Sequence, residues 1–99
     1  MIAYLLDREN ERLKIGWTLD PESYLVTMAQ VSKLSLELIA VEEGFRMHKE
    51  QRCRQLAKYA VEGAKGGWFI YTPKVEALVR AIADGRDRVW PYAPVRVAT

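Results

Sequence analysis

The sequence predicts an α+β domain in which a small, mainly antiparallel three-stranded sheet is flanked by three helices, in the order β-β-α-β-α-(β)-α. Three observations carry this expectation. Two short apolar runs, residues 2–6 and 13–18, flank a polar turn and read as a hairpin. Leu34, Leu36, Leu38 and Ala40 alternate with Ser35, Glu37 and Ile39, close to the period of two that a strand imposes. Residues 45–61 contain neither Gly nor Pro, and their apolar members recur at helical spacing.

Within the hairpin turn, residues 7–12, Asn10 is a residue that tolerates positive φ. Asp20 then caps a first helix, and Pro21 occupies its first turn, where a missing N–H costs nothing. Leu25, Met28 and Ala29 supply that helix with an apolar stripe, and its end is expected near Gln30. The third strand spans residues 34–41 and stops at Glu42-Glu43-Gly44; Glu42, Glu43 and Glu62, at element ends, read as solubilising residues. The second helix turns Phe45, Cys53, Leu56, Ala57 and Ala60 towards a core. Glycines at 63, 66 and 67 break the chain before the extended Trp68-Phe69-Ile70-Tyr71, and Pro73 opens a third helix that runs to about Ala83 and stops at Gly85. Residues 1–85 thus form the domain. Residues 86–99, with Trp90-Pro91-Tyr92 and Pro94, form an extended tail whose aromatic anchors suit docking on the domain or on a second subunit.

A chain of 99 residues holds one domain with one modest core. The lone Cys53 excludes an internal disulfide and a cysteine-rich zinc site, and suits a reducing cytoplasm. Asp7 interrupts the first apolar run far short of a membrane span, so a cytoplasmic protein without a membrane partner is expected. A net charge of +2 is too small to announce a nucleic-acid partner, so the argument rests on where the charges sit. The second helix concentrates Arg46, Lys49, Arg52, Arg54 and Lys58 against a single Glu50. Such a helix fits phosphate contact, and it equally fits a solvated basic face. Trp17, Tyr24, Trp68 and Tyr71 offer flat rings on which unpaired bases could stack, although Trp68-Phe69 also suits a core.

Tyr4 and Lys14 lie ten residues apart, a spacing that suits two antiparallel strands and a short turn and would let their side chains meet on one face. A phenol ionises near pH ~10 and serves as a general base only where its anion is stabilised, which a nearby ammonium does. The same spacing fits an ordinary half-buried strand tyrosine and a lysine snorkelling at an edge. Gly16 weakens a strand interior, and so marks a bulge or a close approach of backbone to another group. Glu50 lies at the border of the helix's apolar face, either as a metal ligand or as a counter-charge to its basic neighbours.

Ala3-Tyr4-Leu5, Lys14-Ile15-Gly16, the Asp20-Pro21-Glu22 helix start, the strand at 34–41, Glu50 on a helix and Gly67-Trp68-Phe69 together resemble the GIY-YIG nuclease family, in its compact bacterial and phage branch with a Lys-Ile-Gly second motif. The resemblance covers roughly the first three quarters of the chain. It implies a metal-dependent endonuclease that hydrolyses DNA phosphodiester bonds, with Tyr4 as base, Lys14 lowering its pKa, Gly16 beside the scissile phosphate, and Glu50 holding one Mg²⁺ or Mn²⁺. Such an enzyme has DNA as its partner, and a homodimer would cut both strands. The chain departs from the family pattern at Tyr24, where the phosphate-binding arginine is expected, at Gly66-Gly67, where the closing acid is absent, and at Arg54, where a histidine is expected. A phenol brings no charge and no bidentate fork to a phosphate. Arg46 and Arg54 are the candidates to replace the missing cation, and the sole histidine, His48, is expected to be exposed beside Arg52. The departures motivate an alternative: a catalytically degenerate domain retained to bind nucleic acid or a protein.

Overall fold

The computed structural model describes residues 1–63 and 66–90. Its elements run β1 (Ile2–Asp7), β2 (Arg12–Trp17), α1 (Pro21–Ser32), β3 (Glu37–Glu42), α2 (Arg46–Gln55), a short 3-10 turn (Ala57–Tyr59), β4 (Trp68–Ile70) and α3 (Pro73–Ala83). The α+β class is as expected. The sheet is antiparallel but has four strands, ordered β3-β1-β2-β4, where three were expected. Trp68-Phe69-Ile70 supplies the fourth by pairing with Arg12, Leu13 and Lys14.

β1 is central, hydrogen-bonded on both edges, and every one of its residues is buried. A strand buried on both faces reads as a continuous apolar run, which Ile2-Ala3-Tyr4-Leu5-Leu6 is. One face carries Ile2, Tyr4, Leu13 and Ile15 into the main core, where they meet Leu56, Phe69, Val75, Val79 and Ile82. Burying each such side chain contributes about 1.5–3 kcal/mol, so the cover of α3 and the end of α2 over this face holds the sheet together. The other face carries Ala3, Leu5, Lys14 and Gly16; α1 packs there on β1 and β3 and lays the Tyr24 ring over Gly16.

Three boundaries differ from expectation for local reasons. α1 continues to Ser32 and ends where Lys33 turns into the left-handed region at φ 57°. β3 starts at Glu37, because β1 offers it a ladder only from Ile2 to Leu6, and Leu34 and Leu36 fall beyond that pairing. α2 stops at Gln55, where Leu56 leaves helical geometry and a 3-10 turn follows. The Asp20 cap is as read, accepting from the Ser23 amide at 3.2 Å; the third helix is capped by Thr72, which the sequence reading did not single out and which accepts from the Val75 amide at 3.2 Å. Among the described residues no helix is long and apolar enough to cross a membrane. Of the tail anchors, Trp90 packs against Phe45, with ring centroids 4.9 Å apart, while Pro91, Tyr92 and Pro94 lie outside the described residues.

Candidate phosphate cleft and the Tyr4 network

β4 is short, and its side of β2 is paired only through Lys14, with one further bond from the Ile15 amide to the Gly67 carbonyl at 2.8 Å. Past that point, among the described residues, β2 has no strand neighbour on the edge away from β1, and α2 packs beside it instead. The result is an open cleft of about 290 Å³ between strand and helix. Lys14, Gly16 and Tyr24 form its floor, and Arg46, Lys49 and Glu50 come down from α2. Five expected site residues therefore share one cleft with Gly16.

Gly16 is there because nothing larger fits. A Cβ at this position would overlap the Tyr24 hydroxyl and ring carbons. The expected alternatives were a bulge or a close approach; the β1–β2 register is unbroken across Gly16, and the close approach is of a phenol to the backbone. Gly67 is held in the left-handed region at φ 81°, where a Cβ would press on the Ile15 carbonyl. This turn also presents the Gly66 carbonyl, which accepts from Lys14 Nζ at 2.6 Å. The Lys14 ammonium is thereby aimed, and it also lies 5.6 Å from the centre of the Trp68 ring.

The cleft is electropositive: three cations face one carboxylate. Burial, and then the charge of Lys49, holds the Lys14 ammonium below the usual lysine range. Burial raises the Tyr24 phenol, an effect partly offset by the same Lys49. The Lys49 contribution lowers both groups, the sign that a positive potential gives, and an anion in the cleft would relieve it. Glu50 is more than half exposed and its Oε1 accepts from Lys49 Nζ at 3.1 Å. A single carboxylate already paired with an ammonium, with Lys14 and Arg46 lining the same cleft, is a poor seat for a divalent cation unless phosphate oxygens arrive with it. Among the described residues no three His, Cys, Asp or Glu side chains are grouped to share an ion.

Tyr4 is not in this cleft. Its cross-strand neighbour is Ile15, whereas Lys14 faces Leu5, so Tyr4 and Lys14 leave the sheet on opposite sides and the expected meeting does not occur. The ten-residue spacing is the reason: opposite residues in this hairpin sum to nineteen, and Tyr4 with Lys14 falls one short, which in a strand reverses the face. The Tyr4 hydroxyl instead donates to Glu42 Oε1 at 2.6 Å within the core. Burial, reinforced by that bond and by the charge of Glu42, pushes the phenol far above its ordinary range. Ionising it would set two anions within hydrogen-bond distance in a dry interior.

Glu42 and Arg52 are the pair that sequence reading misplaced. Glu42 is buried, not solubilising, and Arg52 is turned inward, not towards phosphate. Arg52 Nε donates to Glu42 Oε1 at 3.0 Å and Nη2 to Glu42 Oε2 at 2.6 Å, while Nη1 reaches Gln55 and Nη2 also reaches Asp87. The Val89 amide completes the set on Glu42 Oε2 at 3.0 Å. Although burial opposes its charge, the bonds to Glu42 hold the Arg52 guanidinium above its usual range. One signal was available: Arg52 lies one helical turn before Leu56, on the core-facing side. His48, expected to be exposed, is half-buried, and its Nδ1 accepts from the Phe45 amide at 2.8 Å. Arg54 and Lys58 are exposed and do not line the cleft.

Comparison with protein-family models, with curated proteins and with solved structures finds no match for this chain.

Proposed function

We propose that this domain binds nucleic acid through its phosphates in the β2–α2 cleft and does not hydrolyse it. The observation that carries the reading is the division of the expected site between two faces of the sheet. Lys14, Arg46 and Lys49 gather beside Gly16 and the Tyr24 ring that covers it, while the phenol that would act as base is committed to Glu42. Cations in a concave, half-buried site attract a polyanion and order its phosphates; hydrolysis further requires a group able to accept the proton of the attacking water. The resemblance to the GIY-YIG scaffold supports the same surface as the one that meets DNA, and the lone Cys53 thiol suits a cytoplasmic setting.

A metal-dependent endonuclease is the second reading, favoured by Lys14, Tyr24 and Glu50 lining one cleft. There Glu50 would hold Mg²⁺ or Mn²⁺, which would supply charge neutralisation at the phosphate. Both readings meet in one experiment. Labelled DNA is titrated by anisotropy at low and moderate salt, and supercoiled plasmid is incubated with Mg²⁺ or Mn²⁺. Three phosphate contacts predict an affinity loss of about tenfold or more between 50 and 200 mM salt. Salt-independent binding, or none, defeats the binding reading; nicking that vanishes in Glu50→Ala establishes the nuclease.

A further inference from the structure

The row of cations in the cleft continues along β2 and meets an aromatic ring. Arg12, Lys14 and Gly16 point to the same side of the sheet, spaced about 6.6 Å apart, as alternate residues of a strand are. Trp68 sits directly opposite Lys14 in the β2–β4 pair, so its half-buried ring stands on that same side. With Arg12, Ser32 and Leu34 it lines a second cavity, of about 210 Å³, next to the cleft. At the other end Trp17 borders the cleft from the opposite, core side of the sheet, since it alternates with Lys14 and Gly16 along β2. Its Nε1 donates to the Gly44 carbonyl at 3.0 Å, which fixes the ring, and the Arg46 guanidinium lies 5.0 Å from the ring centre. Each end thus pairs a half-buried indole with a cation, and Lys49 stands between them.

A site for phosphate alone needs cations and no rings. A duplex keeps its base faces inside its own stack, where Trp68 cannot reach them. A ring standing beside a row of cations on one side of the sheet matches a strand whose bases are unpaired, because the backbone follows the charges while a base lies on the aromatic face. We infer that the cleft and the shelf beside it take single-stranded nucleic acid, with phosphates on Lys14, Arg46 and Lys49 and a base on Trp68. This rests on the phosphate-binding reading above and adds the class of strand.

The test titrates the full chain with labelled oligothymidylate or oligouridylate of about 12 nucleotides, with a duplex of the same length, and with inorganic polyphosphate as competitor. The inference expects either single strand to bind at least about tenfold more tightly than the duplex, and Trp68→Leu to weaken single-strand binding by about tenfold. A duplex that binds as tightly as the single strands, or polyphosphate that displaces them at equal phosphate concentration, overturns it while leaving the phosphate-binding reading intact. No binding to any of these probes removes both. Should W68L fail to fold, the W17F/W90F chain keeps Trp68 as its one tryptophan. Quenching of its emission by a single strand supports the inference, and unchanged emission overturns it.

Discussion

Glu42 and Arg52, ten residues apart in sequence, face each other through two hydrogen bonds with side chains only 5% and 3% exposed. Each carboxylate oxygen takes two donors, Tyr4 Oη and Arg52 Nε on one, Arg52 Nη2 and the Val89 amide on the other. Among the described residues no buried side-chain polar atom lacks a partner. The ion pair therefore joins β1, β3, α2 and the segment after α3 at one point.

Removing one partner strands the other. Glu42→Met and Arg52→Met are each expected to lower unfolding free energy by about 3–5 kcal/mol, because an unpaired charge is left in the interior. The double variant Glu42→Met/Arg52→Met should be less destabilised than the sum of the singles. Urea unfolding of the four proteins measures this, and strict additivity would show that the two residues are not coupled.

Alkaline stability reports on Tyr4. Its folded pKa is raised above the ordinary 10.0, so its contribution is complete below that value. As pH climbs past 10.0 the unfolded chain ionises its phenol first and stability falls, by up to about 1.4 kcal/mol per pH unit for one group. Tyr24 and Tyr71 are raised by burial as well and act in the same direction. The difference between wild type and Tyr4→Phe isolates the buried phenol: the variant should show a shallower loss between pH 9.5 and 11, and parallel curves would contradict the network.

Gly16→Ala should destabilise by about 1–2 kcal/mol, since the Tyr24 ring must move off the strand to admit a methyl group. Shortening the blocking side chain should repair the damage. Gly16→Ala/Tyr24→Leu is expected to be more stable than additivity allows, as read from thermal melts, and an uncoupled pair would mean that the ring is not held there.

Lys49 and Arg54 lie on the same helix but on different surfaces, one in the cleft and one outside it. Lys49→Gln should reduce the slope of log affinity against log salt by about one contact, whereas Arg54→Gln should leave affinity within twofold. Equal losses from both would place the nucleic acid on the helix surface at large instead of in the cleft.

Much of the fold was legible because the hydrophobic spacing is plain. The alternation around Leu38 and Ala40, the Asp20-Pro21 and Pro73 helix starts, and the unbroken apolar run of β1 each encode one element with little competition. The ladder limits were not legible, since whether Leu34 or Glu37 begins a strand depends on how far β1 extends beside it. The cleft was partly legible: Lys14, Gly16, Tyr24 and Glu50 were singled out from the sequence and do line one space. The facing of Tyr4 was not, because one residue of register decides it and spacing along the chain leaves that residue open. Nor was the pairing of Glu42 with Arg52. A charged residue at a strand end and another in a basic helix each look like surface groups until the fold brings them together.

The Asp87 and Val89 contacts bear on where this chain can be shortened. A fragment ending at residue 85, where the helical pattern stops, would lose the Val89 amide from Glu42, the Asp87 carboxylate from Arg52 and the Trp90 ring from Phe45. The smallest piece that keeps its interior chemically satisfied extends at least to Trp90. A truncation series crossing residues 86–90 should show a sharp drop in melting temperature there.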